Sequence, residues 1–183
     1  MINSRRRIYT GMAALSLLAG FASISPSVAQ DDAPPLAAGT KAPAFTTTTI
    51  DGKHFSLASL RGHVVLLDFW ATWCGPCQMA TPTLESLSKT YKSKGLRVVG
   101  ISVDDPSTAG QVKGFMKHFG ITYTISASPA ANAAAARRYN ANGIPSQYVI
   151  DKKGIVRWSQ AGYAPGEGVE LARLITKLNK EHG

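Results

Sequence analysis

Two cysteines spaced by two residues, in the run Trp73-Cys74-Gly75-Pro76-Cys77, are the only cysteines among 183 residues. They follow almost directly on Val64-Val65-Leu66-Leu67-Asp68-Phe69-Trp70, a continuous apolar run of strand length with one carboxylate in it. An apolar run of that kind reads as a strand buried on both faces. Cysteines with two residues between them bring their sulfurs together across the first turn of a helix, so the local fold is constrained to strand, short loop and helix start. A bridge there closes too small a loop to stabilise the chain much. It suits a disulfide that opens and closes. A zinc site would need two further ligands, and His54, His63, His118 and His182 have no paired spacing.

The remaining sequence extends this start into an alternating pattern. Phe45–Ile50 and His54–Leu57 flank Asp51-Gly52 and predict an N-terminal hairpin. Ala80, Leu84, Leu87 and Tyr91 mark one face of a helix from Pro76 to Lys92, kinked by Pro82 and stopped near Gly95. Arg97–Val103 reads as the next buried strand. Asp105-Pro106 is expected to cap a helix whose apolar stripe is Val112, Phe115, Met116 and Phe119. Thr122–Ile125 reads as a short strand, and Ser128-Pro129 opens a helix through an alanine run. Ser146–Ile150 and Ile155–Ser159 flank a turn at 151–154, and a last helix carries Leu171, Leu174, Ile175 and Leu178. Strands alternating with helices, followed by a hairpin and a helix, predict an α/β sandwich with a mixed central sheet flanked by helices. In such a sheet, chemistry gathers at strand carboxyl ends and helix starts, where Cys74 falls.

Residues 1–29 read as a signal peptide. Arg5-Arg6-Arg7 gives a basic start, Met12–Ala22 an apolar core, and Ser27-Val28-Ala29 small residues at −3 and −1 of a cut before Gln30. The apolar core is short against the roughly 20 residues of a membrane span, and an uncleaved anchor is the alternative. Residues 30–38 have linker composition, and one domain is expected over 39–183. Cleavage removes three arginines and no acid, lowering the formal charge from +9 to +6. Apart from Arg137-Arg138 and Lys152-Lys153 the basic residues left are spread along the chain without interleaved aromatics, so solvated faces explain them better than a nucleic-acid surface. Export places the cysteine pair in a compartment where disulfides persist.

Several residues carry the expected chemistry. Cys74, at a helix N-terminus that favours a thiolate, is the expected nucleophile, and Cys77 the resolving thiol. Asp68 has two readings from spacing alone: a proton acceptor for Cys77, or a buried acid satisfied by backbone donors. In Gly143-Ile144-Pro145, a cis bond would expose the Ile144 backbone to an extended substrate, although cis is uncommon. Trp73 is placed to shield the disulfide and contact substrate, whereas Trp70 is read as packing.

From Asp68 to Cys77 the chain resembles thioredoxin nearly residue for residue. That resemblance implies a thioredoxin fold and assigns Asp68 as the buried aspartate, Pro82 as the helix-kinking proline and Pro145 as the cis-proline, with Ile144 before it. Trp73, Gly75, Pro76, Ile144 and Pro145 would then form the substrate surface. Gly39–Phe45 resembles the opening of exported TlpA/ResA-like thioredoxins and of peroxiredoxins, and Pro106–Ala136 resembles the central insertion of the former group. Two positions depart from the pattern. ResA-type reductases carry a glutamate soon after the cysteines, where this chain has no acid until Glu85. The lysine that neighbours the buried aspartate in thioredoxin falls at Gly100.

The resemblance implies an exported thiol:disulfide oxidoreductase, working as a reductase without cofactor or metal. It is expected in the periplasm as a monomer, re-reduced by a membrane donor of the DsbD/CcdA kind. Its clients would be oxidised exported proteins, such as those of cytochrome c maturation or oxidase assembly. Three rivals are an oxidase or isomerase, a peroxiredoxin-like peroxidase and a copper-delivery module. The peroxidase lacks its Pro-x-x-x-Thr/Ser-x-x-Cys setting, and the copper module lacks a nearby histidine.

Overall fold

The computed structural model describes residues 33–181. The signal-peptide reading of 1–29, residues 30–32 of the segment read as linker, and the last two residues lie outside the described residues. The strands are β1 (Thr46–Thr48), β2 (His54–Ser56), β3 (Val64–Trp70), β4 (Leu96–Ser102), β5 (Thr124–Ser126), β6 (Ser146–Ile150) and β7 (Val156–Ala161). The helices are α1 (Gly75–Tyr91), α2 (Val112–Phe119), α3 (Pro129–Arg138) and α4 (Glu167–Lys180).

β1 and β2 form a separate antiparallel hairpin. The main sheet runs in the order β5-β4-β3-β6-β7, parallel from β5 to β3 and antiparallel from β3 to β7. All seven residues of β3 are buried, as a central strand covered on both faces requires. Its alternate side chains divide the core in two. Val64, Leu66 and Trp70 pack with Cys77, Leu84 and Leu87 of α1 and with Leu171, Ile175 and Leu178 of α4. Val65, Leu67 and Phe69 face the other way, against Phe45, Phe55, Tyr139 and Tyr148. Each such side chain, fully buried, contributes about 1.5–3 kcal/mol. Asp68 has the parity of Leu66 and Trp70, so it lies on the α1/α4 face, whose core cluster includes both cysteines.

Most predicted elements lie within a residue or two of their observed bounds. The helix after β4 does not. Asp105-Pro106 does not cap it: Asp105 Oδ1 accepts bonds from Ser107 N (2.7 Å), Ser107 Oγ (2.6 Å) and Thr108 N (3.2 Å), forming a local turn. A short 3-10 turn at Ala109–Gln111 follows, and α2 begins only at Val112. Residues 33–38 dock on the domain despite their linker composition. Ser159 Oγ donates to the Leu36 carbonyl at 2.7 Å, Asn140 Nδ2 to that of Pro34 at 3.2 Å, and Leu36 packs against the second core cluster.

Candidate active site

β3 ends at Trp70, and four residues later Cys74 forms the N-cap of α1, with Pro76 in its first turn. Proline suits that place because its missing N–H would have no helical partner there. The structure joins Cys74 and Cys77 in a disulfide. The backbone N–H of Cys77 points at Cys74 Sγ, 3.2 Å away. Cys74 is 5% exposed and Cys77 is 2% exposed, so both residues are buried, Cys74 slightly less. Trp73 projects outward, 62% exposed, with exposed Met79 also on this part of the chain. It presents an apolar surface beside the disulfide instead of covering it.

The Ile144–Pro145 bond is cis. The Ile144 carbonyl lies 3.6 Å from Cys74 Sγ, which brings residues 70 positions apart to one edge. Ile144 and Pro145 are thus brought to the disulfide, which Trp73, Gly75 and Pro76 flank in sequence. Trp70 is core: its ring packs on Phe115 with centroids 4.5 Å apart.

Asp68 is 3% exposed, and its Oδ1 has no protein partner. The reading in which backbone donors satisfy it does not hold. Burial pushes its carboxyl up to about 8, the Glu167 carboxylate adds to the rise, and the Gln147 side chain offsets a part. Gly100 stands directly opposite Asp68 across β3 and β4. A Cβ there would meet Ile125 Cδ1 at 2.6 Å and Trp70 Nε1 at 2.8 Å, so the indole occupies the room a lysine stem would need.

Glu85, the first acid after the cysteines, is turned away from them. It accepts from Thr122 N at 2.9 Å and Thr122 Oγ1 at 2.7 Å, and pairs with Lys89 at 3.1 Å. Burial raises its carboxyl, but the Thr122 bonds and Lys89 outweigh that and hold it below its ordinary value. It fastens α1 to the segment before β5.

Three features were not anticipated from sequence. Buried Asp104 accepts from Thr72 Oγ1 (2.6 Å), Thr72 N (3.1 Å) and Ser102 Oγ (2.8 Å), and so fixes the loop that presents Trp73 and Cys74. A groove of about 440 Å³ lies beside that loop, lined by Thr72 and Gln78 on one side and Gln111, Phe115, His118 and Phe119 on the other. Glu167, at the start of α4, is buried on the Asp68 side of the sheet. Doubled acids at the end of a strand were a legible signal for Asp104; Glu167 had none. Among the described residues no group of three or more His, Cys, Asp or Glu could hold a metal ion. Among them, too, no helix is long and apolar enough to cross a membrane.

The family model described as Redoxin matches residues 37–176. The thiol-disulfide oxidoreductase ResA of Geobacillus kaustophilus is 33% identical over 135 residues, 74% of this chain and 75% of the relative. A Chlorobium tepidum crystal structure, assigned as a thiol:disulfide interchange protein DsbE, superposes with a TM-score of 0.72 at 31% identity, covering 79% of this chain and 99% of that one. A Bacteroides thetaiotaomicron solution structure, assigned as a protein disulfide isomerase, also scores 0.72, at 33% identity, covering 80% and 92%.

Proposed function

The chain belongs to the Redoxin family, and on that premise we propose that it reduces disulfides of exported proteins by dithiol–disulfide exchange at Cys74 and Cys77. The observation that carries this reading is the pair itself: a disulfide at a helix N-terminus, edged by the Ile144 carbonyl, over a buried carboxyl. In the reduced protein, the thiolate of Cys74 attacks one sulfur of a client disulfide. That bond breaks, the other client sulfur leaves as a thiolate, and Cys74 is joined to the client. The Cys77 N–H that faces Cys74 Sγ is placed to steady the attacking charge.

Cys77 then passes its proton to Asp68 and attacks Cys74 Sγ. The mixed disulfide breaks, and the client departs with two thiols once its sulfurs take up protons. The Cys74–Cys77 bond has formed, so the client gains two electrons and the protein loses two. Trp73, Gly75, Pro76, Ile144 and Pro145 are the surface on which a client segment would lie, with the Ile144 backbone as a pairing partner. The groove against α2 gives that surface a second wall.

The rest of the reading follows from export. Residues 1–29 would be the signal peptide, 30–38 the connection and 39–183 the thioredoxin-like domain, working in the periplasm as a monomer. A pair kept reducing in an oxidising compartment needs a dedicated donor, and a membrane protein of the DsbD/CcdA kind fits. Clients in cytochrome c maturation or oxidase assembly suit such a reductase. The test is the reduction potential of the pair, measured against thiol buffers. A value near that of thioredoxin, about −270 mV, is expected; one near that of DsbA, about −120 mV, would make the protein an oxidase. Cys77→Ser should accumulate mixed disulfides with clients through Cys74, and Cys74→Ser should accumulate none. Equal trapping by both variants would overturn the assigned roles.

A further inference from the structure

The register of the main sheet aligns four residues on its α1/α4 face. Gly100 of β4 stands opposite Asp68 of β3, Asp68 opposite Gln147 of β6, and Gln147 opposite Gln160 of β7. Cross-strand partners share a face, so these side chains form one row on the face whose core cluster includes both cysteines. The row continues beyond the sheet. Gln160 Nε2 donates to Glu167 Oε2 at 3.1 Å, and the Ala164 N–H donates to the same oxygen at 3.0 Å.

Glu167 is 4% exposed, and its Oε1 has no protein partner. Asp68 Oδ1 and the Gln147 amide opposite it make no close hydrogen bond, and the Gln147 side chain offsets only a part of the rise of the Asp68 carboxyl. From this row we propose that Glu167 is a positioning residue for the exchange reaction, acting on Cys77 through the effect of its charge on Asp68.

The physical basis is that two carboxyls in one low-dielectric compartment resist being charged together. Among the described residues, Glu167 is the one acid that raises Asp68. The titratable groups coupled to Asp68 among them are Glu167 from α4 and Tyr123 from the segment before β5, while Cys74 and Cys77 belong to the apolar cluster on the same face. Burial, then Asp68, then Glu85 raises the Tyr123 hydroxyl well above its ordinary value, so that group brings no charge near neutrality. Among the described residues no lysine or arginine forms an ion pair with Asp68 or Glu167. Gly100 leaves no cation beside Asp68, and the charge that tunes it comes from α4 across the row. Asp68 is then kept loaded with a proton, ready to return it to Cys77 when the disulfide is reduced. The proposal rests on the exchange chemistry of Cys74 and Cys77 but not on its direction.

The experiment is a carboxyl-carbon NMR titration of Asp68 in the oxidised full chain, for the native protein, Glu167→Gln and Glu167→Asp. Glu167→Gln keeps the shape and an acceptor for the Ala164 N–H while deleting the charge. Its Asp68 midpoint should fall by about one pH unit, raising the ionised fraction at pH 7 from about a tenth to about a half. Glu167→Asp, which keeps the charge, should recover most of the native midpoint. The pH profile of mixed-disulfide resolution should move with the titration. A midpoint unchanged in Glu167→Gln, or lowered equally in Glu167→Asp, would overturn the proposal. The reductase reading would survive either result, because the titration needs no client. An oxidising potential would in turn remove the reductase direction and leave the titration as it stands.

Discussion

A carboxyl inside an apolar strand costs little while it is protonated and several kcal/mol once it ionises. Asp68 holds its proton up to about pH 8 in the fold, whereas an unfolded aspartate releases it near 3.9. The folded state therefore binds more protons between these values, and stability must fall as pH rises through that window. The Asp68 contribution is intact below about pH 4, declines from there, and is fully lost above about pH 8. Asp68→Asn should flatten this slope, leaving the oxidised protein more stable than native by a few kcal/mol at pH 8 in urea unfolding. The same variant should resolve mixed disulfides on the order of 10²-fold more slowly, without the native rise in rate toward pH 8. A variant that is stabilised but resolves at the native rate would leave Asp68 without a part in the proton transfer.

At the scale of elements, the polar residue inside the alanine run has the most to hold. Asn132 Oδ1 accepts from Thr47 Oγ1 and Ser126 Oγ, each at 2.7 Å, while its Nδ2 donates to the Ser102 carbonyl at 2.8 Å and the Ser126 carbonyl at 3.2 Å. One side chain thus ties α3 to β1, β4 and β5. Asn132→Ala should cost about 2–3 kcal/mol in denaturant unfolding, since it strands several buried partners at once. A loss within about 0.5 kcal/mol would mean that these groups find other partners. Legibility in the sequence follows the range of the interaction. β3 is read to the residue because a run of apolar side chains is a local pattern, and β6 because the turn at 151–154 marks its end. The start of α2 is misplaced because Asp105 bonds its own neighbours, a choice that hydrophobic periodicity does not register. Cys74, Cys77 and Asp68 are legible from one short stretch. Glu167, Gln147 and Gln160 are not, because they meet Asp68 only through a register that three separate strands must set together.

For the whole molecule, reduction potential and stability are two views of one cycle. Oxidised and reduced forms share a sequence, and they are linked by the same two-electron reduction in the folded and unfolded states. The folded pair is therefore harder to reduce than an unfolded one by the free energy with which the fold prefers the disulfide. DsbA is a strong oxidant because its reduced form is stabilised, and the interval of about 150 mV between DsbA and thioredoxin corresponds to roughly 7 kcal/mol for two electrons. In this chain both sulfurs are buried, Cys77 more deeply, against an apolar cluster and above a carboxyl that Glu167 disfavours ionising. Reduction places two separate sulfurs in that pocket, where a thiolate on Cys77 would meet no basic partner. The fold should therefore prefer the closed disulfide. Oxidised protein is expected to unfold at a higher denaturant concentration than reduced protein at pH 7, with similar slopes. Reduced protein proving the more stable would place the pair among oxidants, and the search for clients would turn to exported proteins still acquiring their disulfides.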